Sequence, residues 1–174
     1  MDFTVSKFAL TESYEYDRDT YGTDRHISWI DLLAWTAAHT GGKFADDRTV
    51  CKCMEELEME AEAGKKLEEL TEDLEYFPYY REVYETVLGG MVGEYEIEEP
   101  DAQGRKVTQK RYGLKAFHPI AKGFPYTDYD DFGASRSYGY RREHLGHDMM
   151  GQTGTPIVAV ESGYVECIGW NQYG

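Results

Sequence analysis

The chain has 174 residues, of which 41% are hydrophobic and 14% aromatic, which is enough to build the core of one domain or of two small ones. Its formal net charge of −15 is concentrated in residues 55–99. This range has 16 acidic side chains and three basic ones, Lys65, Lys66 and Arg81, which gives a net charge of −13. This balance argues against a nucleic-acid partner, because phosphate binding needs a basic face, and a solvated acidic surface is the simpler interpretation.

The first clear helix follows a tyrosine-rich, charged N-terminal segment. Within that segment, four apolar residues either start a helix or pack as an arm: Phe3, Val5, Phe8 and Leu10. Ser28 is then a helix cap with Asp31 three residues on, and Gly41 ends the helix. Apolar residues recur at helical spacing between them, at Trp29, Ile30, Leu33 and Ala37.

Three further helices are predicted before residue 95. One begins near residues 47–49 and stops near Gly64, and a shorter one covers residues 67–74. The last is opened by Pro78 and followed by Gly89. Their periodic apolar faces are typical of core packing, so residues 1–95 are predicted to form a small α-helical domain.

The composition changes after residue 95. Residues 96–111 predict either two short strands around a turn or a polar linker, and the domain boundary is placed there. Residues 112–139 are rich in Gly, Pro and aromatics without a helical period, while residues 157–170 alternate and predict a hairpin with Gly163 at its turn. The sequence therefore predicts an α+β protein, in which residues 112–174 form an incomplete antiparallel β domain.

A histidine and an aspartate four residues apart suggest a metal site in this β domain. His144 and Asp148 flank Gly146, and imidazole nitrogen and carboxylate oxygen are ligands that zinc uses. Neighbouring glycines disfavour a helix, and on a strand these two side chains share a face while His147 points to the other. Four extended residues cover roughly 13 Å, so a bend is needed, which Gly146 can supply. The spacing alone is more typical of a hydrogen-bonded surface pair.

The wider sequence resembles a known family. His144-Leu145-Gly146-His147-Asp148 is similar to the His-x-Gly-x-Asp signature of the lysostaphin-like, LytM-type zinc metallopeptidases, which cut peptide cross-bridges in bacterial peptidoglycan. The resemblance extends in order to the segments Phe132-Gly133-Ala134-Ser135-Arg136, Gly154-Thr155-Pro156-Ile157-Val158-Ala159, Gly163-Tyr164-Val165 and Gly169-Trp170.

The resemblance implies a LytM-type peptidase fold for residues 112–174, with Zn²⁺ as cofactor and His144 and Asp148 as two of its ligands. It also implies a peptidoglycan peptide as substrate and a location in the cell envelope or outside the cell. No apolar run in the sequence is long enough for a membrane span, and residues 1–7 do not look like a signal peptide.

Other residues near the motif receive weaker predictions. Arg136, Tyr138 and Tyr140 lie just upstream of the motif and are predicted, from position alone, to line the substrate groove. His118 precedes Pro119 and is predicted to be structural, and His147 is predicted not to bind the metal.

In the LytM-type family a His-x-His on a later strand completes the site, one histidine as third zinc ligand and the other assisting catalysis. The sequence contains no His-x-His and ends at Gly174, so the catalytic residues are expected beyond Gly174. Catalytic zinc takes three protein ligands and a water, and the motif region offers two, so this form is expected to be inactive or incomplete.

Two non-catalytic interpretations stay open. The chain could be a binding or envelope-assembly module that acts through its acidic helical domain, or an inert fragment of a split gene. Retained zinc binding would distinguish the peptidase from both.

Overall fold

The computed structural model describes residues 4–137, 139–161 and 163–170 and shows an α+β protein, as the sequence predicts. The chain divides into two compact units, Met1–Lys115 and Ala116–Gly174. In the described residues, helices occupy the first unit, and the strands pair antiparallel into two-stranded sheets. None of the helices described is both long enough and apolar enough to cross a membrane.

The helices of the first unit are α1 (Lys7–Thr20), α2 (Trp29–Thr40), α3 (Asp47–Glu62), α4 (Leu67–Thr71) and α5 (Phe77–Leu88). The N-terminal segment is thus a helix rather than an arm, and Ser6 caps it by accepting a hydrogen bond from the N–H of Ala9 at 3.1 Å. Helix α4 is shorter than predicted, because the N–H of Leu74 bonds to the Thr71 carbonyl in a turn at 3.0 Å instead of continuing the helix.

Helix α2 has the ends that the sequence predicts. The Ser28 side chain accepts a hydrogen bond from the N–H of Asp31 at 3.2 Å, which satisfies one of the free donors of the first turn. Gly41 closes the helix in the left-handed region at φ 66°, a conformation that costs glycine little.

The core of the first unit is built around α2, which packs on α1, α3 and α5. Residues 29–37 of this helix are all buried, which is typical of a helix enclosed on every side. Each fully buried aliphatic side chain contributes about 1.5–3 kcal/mol relative to an exposed one. Helices α1, α3 and α5 add buried side chains at Ala9, Val50, Met54, Leu57, Phe77, Tyr80 and Tyr84.

A buried carboxylate joins three parts of the first unit. Asp17 of α1 is 1% exposed and accepts hydrogen bonds from the Trp29 N–H at 2.8 Å and the Tyr112 hydroxyl at 2.6 Å. His26 Nε2 lies 2.8 Å from the same carboxylate. Burial and the hydrogen bond to Asp17 raise the pKa of Tyr112, which therefore stays protonated and remains a donor.

Strands β1 (Val92–Pro100) and β2 (Lys106–Leu114) form an antiparallel hairpin, the stranded alternative for residues 96–111. The hairpin is longer than predicted and belongs to the first unit, since Tyr112 of β2 bonds to Asp17 of α1. The two compact units meet after Lys115, whereas composition places the domain limits at residues 95 and 112.

The second unit contains β3 (Tyr126–Tyr129), β4 (Ser135–Ser137), β5 (Arg141–Glu143) and β6 (Asp148–Gly151). Strand β3 pairs with β6, and β4 pairs with β5. A single bridge joins Ile120 to Ile157. Among the residues described in this unit, Ile120 is the one buried hydrophobic side chain.

The hairpin predicted for residues 157–170 is wrong for the part that the structure describes. In residues 157–161 and 163–170, Ile157 forms its bridge and no strand follows. Tyr164, Val165 and Ile168 are strongly exposed. The alternation of apolar and polar residues in the sequence therefore does not produce a buried side of a strand. A two-stranded hairpin without such a face is marginal in water.

Candidate metal centre

Two strand pairs and the turns beside them bring the predicted ligands into position. Asp148 is the first residue of β6, and the antiparallel register sets it opposite Tyr129, the last residue of β3. His144 directly follows β5 and continues its pairing, because its N–H donates to the Ala134 carbonyl at 2.9 Å. Its own carbonyl accepts from the N–H of Gly133 at 2.6 Å, so the backbone of His144 is held on both sides.

The chain bends at Gly146, between β5 and β6. The side chains on either side of the bend approach each other, and His144 Nε2 lies 3.5 Å from Asp148 Oδ1. Gly146 lies against the imidazole, and a Cβ added there would be 3.2 Å from His144 Nε2. A side chain at this position would require the imidazole to shift by a few tenths of an ångström.

Asp131 is a third candidate ligand that the sequence analysis missed. Its Oδ2 lies 3.1 Å from His144 Nδ1, and its Oδ1 accepts a hydrogen bond from the Asp148 N–H at 3.3 Å. One ligand atom from each of Asp131, His144 and Asp148 lies within 4.8 Å of the others. Asp131 stands directly before the Phe132-Gly133 segment of the resemblance, and that position is the signal that could have found it.

The guanidinium of Arg136, in the middle of β4, lies among these three side chains. Its Nη2 donates to Asp148 Oδ2 at 2.7 Å and also bonds to Asp131 Oδ2. The same nitrogen lies 3.2 Å from His144 Nδ1. Arg136 was predicted to line a substrate groove, and in this structure its guanidinium contacts all three candidate ligands.

The charges around Asp131 favour its ionised form. Desolvation raises the pKa of this carboxyl, but hydrogen bonds from Asp148 and the nearby charges of His144 and Arg136 outweigh it, and the net pKa is lowered. An ionised carboxylate is the form that binds a metal cation. The side chains gathered here are one imidazole and two carboxyl groups.

Two other histidines singled out from the sequence have contact partners outside this cluster. His147 Nε2 lies 2.9 Å from Asp128 Oδ1, and this contact raises the pKa of His147. His118 accepts the Ile120 N–H at 3.2 Å and lies 2.9 Å from the Tyr126 hydroxyl. Tyr140 is 67% exposed, whereas the predicted substrate residue Tyr138 lies outside the described residues.

The cluster fits a divalent cation in its donor chemistry. Zinc is bound by histidine nitrogen and carboxylate oxygen at about 2.0–2.2 Å, and catalytic sites use three protein ligands with a fourth position for water. Tetrahedral ligands at that distance stand roughly 3.3 Å from one another. The 3.1 Å separation joins Asp131 Oδ2 to His144 Nδ1, and the 3.5 Å separation joins Asp148 Oδ1 to His144 Nε2. Because one imidazole binds a metal through one ring nitrogen, the carboxylate beside the other nitrogen would have to turn to reach the same ion.

Comparisons with protein-family models, curated proteins and solved structures found no match for this chain. The likeness to LytM-type metallopeptidases therefore remains a prediction carried by the motif residues themselves.

Proposed function

We propose that the second unit binds Zn²⁺ and derives from a LytM-type zinc metalloendopeptidase that hydrolyses peptide cross-links of bacterial peptidoglycan. The observation that carries the proposal is the convergence of Asp131, His144 and Asp148 within 4.8 Å, at the sequence that resembles the His-x-Gly-x-Asp signature. A His–Asp pair that is only hydrogen-bonded at the surface would not need a third acidic side chain beside it.

In this proposal His144 supplies a nitrogen ligand and the two aspartates supply oxygen ligands. Zinc bound there would act as a Lewis acid and lower the pKa of a bound water toward about 7. The two carboxylates offset the charge of the ion, and Gly146 keeps the space beside the imidazole free. The bend at residues 144–147 brings both motif ligands to one side of the chain.

The substrate would be a peptide in the cell envelope or outside the cell. Tyr140 is exposed directly before β5 begins and is available for contact with such a peptide. The family resemblance assigns catalytic assistance to a His-x-His that the 174-residue sequence does not contain. We therefore expect this chain to bind zinc and to hydrolyse peptides weakly or not at all.

Metal content tests the proposal. The full chain is purified, incubated with equimolar Zn²⁺, dialysed and measured by elemental analysis beside the His144→Ala/Asp148→Ala double variant and Asp131→Asn. We expect close to one zinc per wild-type chain, loss in the double variant and a clear reduction in Asp131→Asn. The matched control is Asp130→Asn, which makes the same change one residue earlier at an exposed side chain and should keep the metal.

Equal zinc in the wild type and the double variant would exclude this site. A chain that holds no zinc would favour the second candidate, a non-catalytic binding module. The observation that supports this candidate is the acidic surface of residues 55–99, with its net charge of −13. A partner captured by the wild type, and lost when these acidic residues are neutralised, would support it directly.

A further inference from the structure

One nitrogen of Arg136 touches all three side chains that are candidates to bind the metal. Nη2 lies 2.7 Å from Asp148 Oδ2 and 3.2 Å from His144 Nδ1, and it is hydrogen-bonded to Asp131 Oδ2. In this arrangement two carboxylates and an imidazole surround one guanidinium. Its positive charge offsets the charge of the carboxylates, as the charge of a metal cation would.

Arg136 lies opposite a second arginine in its sheet, because it pairs directly with Arg142 in the register of β4 and β5. Like charges directly opposite each other destabilise an antiparallel pair. The carboxylates of Asp131 and Asp148 offset that repulsion for Arg136, so the cluster is balanced electrostatically with the guanidinium in place.

We propose that Arg136 is an internal competitor for the metal: its guanidinium occupies the ligand cluster in the metal-free protein and is displaced when a divalent cation binds. This inference rests on the proposed metal site. Asp131 Oδ2 and Asp148 Oδ2, which bond to Arg136, are oxygens that a metal would also use, and a cation at about 2 Å from them would repel the guanidinium between them. The apparent metal affinity is therefore lowered by the work of releasing Arg136.

A purely structural role for Arg136 leads to the opposite expectation. If the guanidinium held the ligands in place for the metal, its removal would loosen the cluster and weaken metal binding. If it competes with the metal, its removal strengthens binding. The sign of the change in zinc affinity therefore decides between the two roles.

The experiment measures Zn²⁺ affinity of the full chain by competition with a chromophoric chelator. We expect Arg136→Gln to bind zinc about tenfold more tightly than the wild type, since a charge-assisted contact is lost from the metal-free state alone. The matched control is Arg141→Gln, which removes one positive charge from an exposed position of the adjoining strand β5 and should change affinity by about twofold or less. Unchanged or weaker binding by Arg136→Gln would overturn the proposal.

A second measurement follows the wild-type chain and uses the variant only to assign one signal. The side-chain N–H signals of ¹⁵N-labelled arginine are followed by NMR during a zinc titration, with the Arg136 signal assigned from its absence in Arg136→Gln. We expect this signal to move to the position of a solvated guanidinium as zinc saturates His144. An Arg136 signal that stays in place while the His144 ring signals shift would contradict displacement.

The outcomes also separate this inference from the proposed function. Zinc that binds the wild type and Arg136→Gln equally, and is lost from the His144→Ala/Asp148→Ala variant, would keep the metal site and remove the competitor. Zinc that binds none of these chains at the cluster would overturn both proposals.

Discussion

The two units of this protein bury their residues in different ways. In the first unit, α2 is enclosed by three helices, and a carboxylate inside the core is matched with donors from distant segments. In the second unit, short strand pairs carry mostly exposed side chains, and the densest contacts are polar ones around Asp131, Arg136 and Asp148. Apolar burial therefore stabilises the first unit, whereas backbone pairing and a charged cluster organise the second.

Under the proposed function, a cation bound at the cluster would add order to the second unit, because binding free energy is then also folding free energy. The helical unit has an apolar core instead. We therefore expect ligand-linked changes to concentrate in residues 116–170, and the following predictions test the contrast in decreasing order of effect.

The largest effect should come from a leucine-to-alanine substitution in the first unit, compared with the same substitution in the second. Leu33→Ala removes a side chain that is 0% exposed and should cost the first unit about 2–5 kcal/mol of unfolding free energy, because a cavity remains. Leu145→Ala removes one that is 77% exposed and should change the second unit by about 0.5 kcal/mol or less. Hydrogen exchange measured peptide by peptide would report the stability of each unit separately. Similar losses of stability in the two variants would contradict the difference between the units.

A smaller loss should follow when one donor to the buried carboxylate is deleted. Tyr112→Phe removes the hydroxyl that donates to Asp17 and should cost about 1 kcal/mol, since Trp29 and His26 still contact the carboxylate. Urea unfolding followed by tryptophan fluorescence would measure it. Tyr76→Phe makes the same change at an exposed ring and serves as the control. Equal stability of the two variants would mean that the hydroxyl contributes nothing.

The smallest effect concerns the turn of the β1–β2 hairpin. The backbone N–H and then the guanidinium of Arg105 lower the pKa of Asp101 below its usual range. Because the pKa is lowered in the folded state, the contribution of Asp101 is present above about pH 3.9 and is lost as the pH falls through the folded pKa. An NMR titration of the carboxyl carbon should give a midpoint below about 3.9.

Arg105→Gln is the control for that titration. It keeps the backbone donor and removes the guanidinium, so the midpoint should move part of the way back towards the usual value. A wild-type midpoint at or above about 3.9 would contradict the assigned contacts.

The sequence predicted best where the signals are local. The Ser28 cap and the Gly41 end of α2 lie within one turn of the residues they serve, and both are observed. The sequence also predicted a bend at Gly146, and the chain bends there, between β5 and β6 rather than within one strand. Such features follow from neighbouring residues and need no knowledge of the rest of the fold.

Features that depend on distant pairing were missed. Asp131 reaches His144 because the backbone of Gly133 and Ala134 pairs with that of His144, and spacing along the sequence does not show this pairing. Burial of Asp17 likewise depends on Tyr112, 95 residues away. The hairpin expected at residues 157–170 failed for the converse reason: alternation is a local pattern, but a strand also needs a neighbour and a face to cover.

The bond between Asp17 and Tyr112 also sets an order of events during synthesis. The ribosome adds roughly 5–20 residues per second, so helix α1 is made about 5–20 s before the tyrosine that completes its buried contact. Throughout that interval the nascent helices hold a carboxylate that lacks one of its native donors. The first unit is finished only when β2 has left the ribosome, and a chain stopped near residue 95 would keep its helices in that unfinished state.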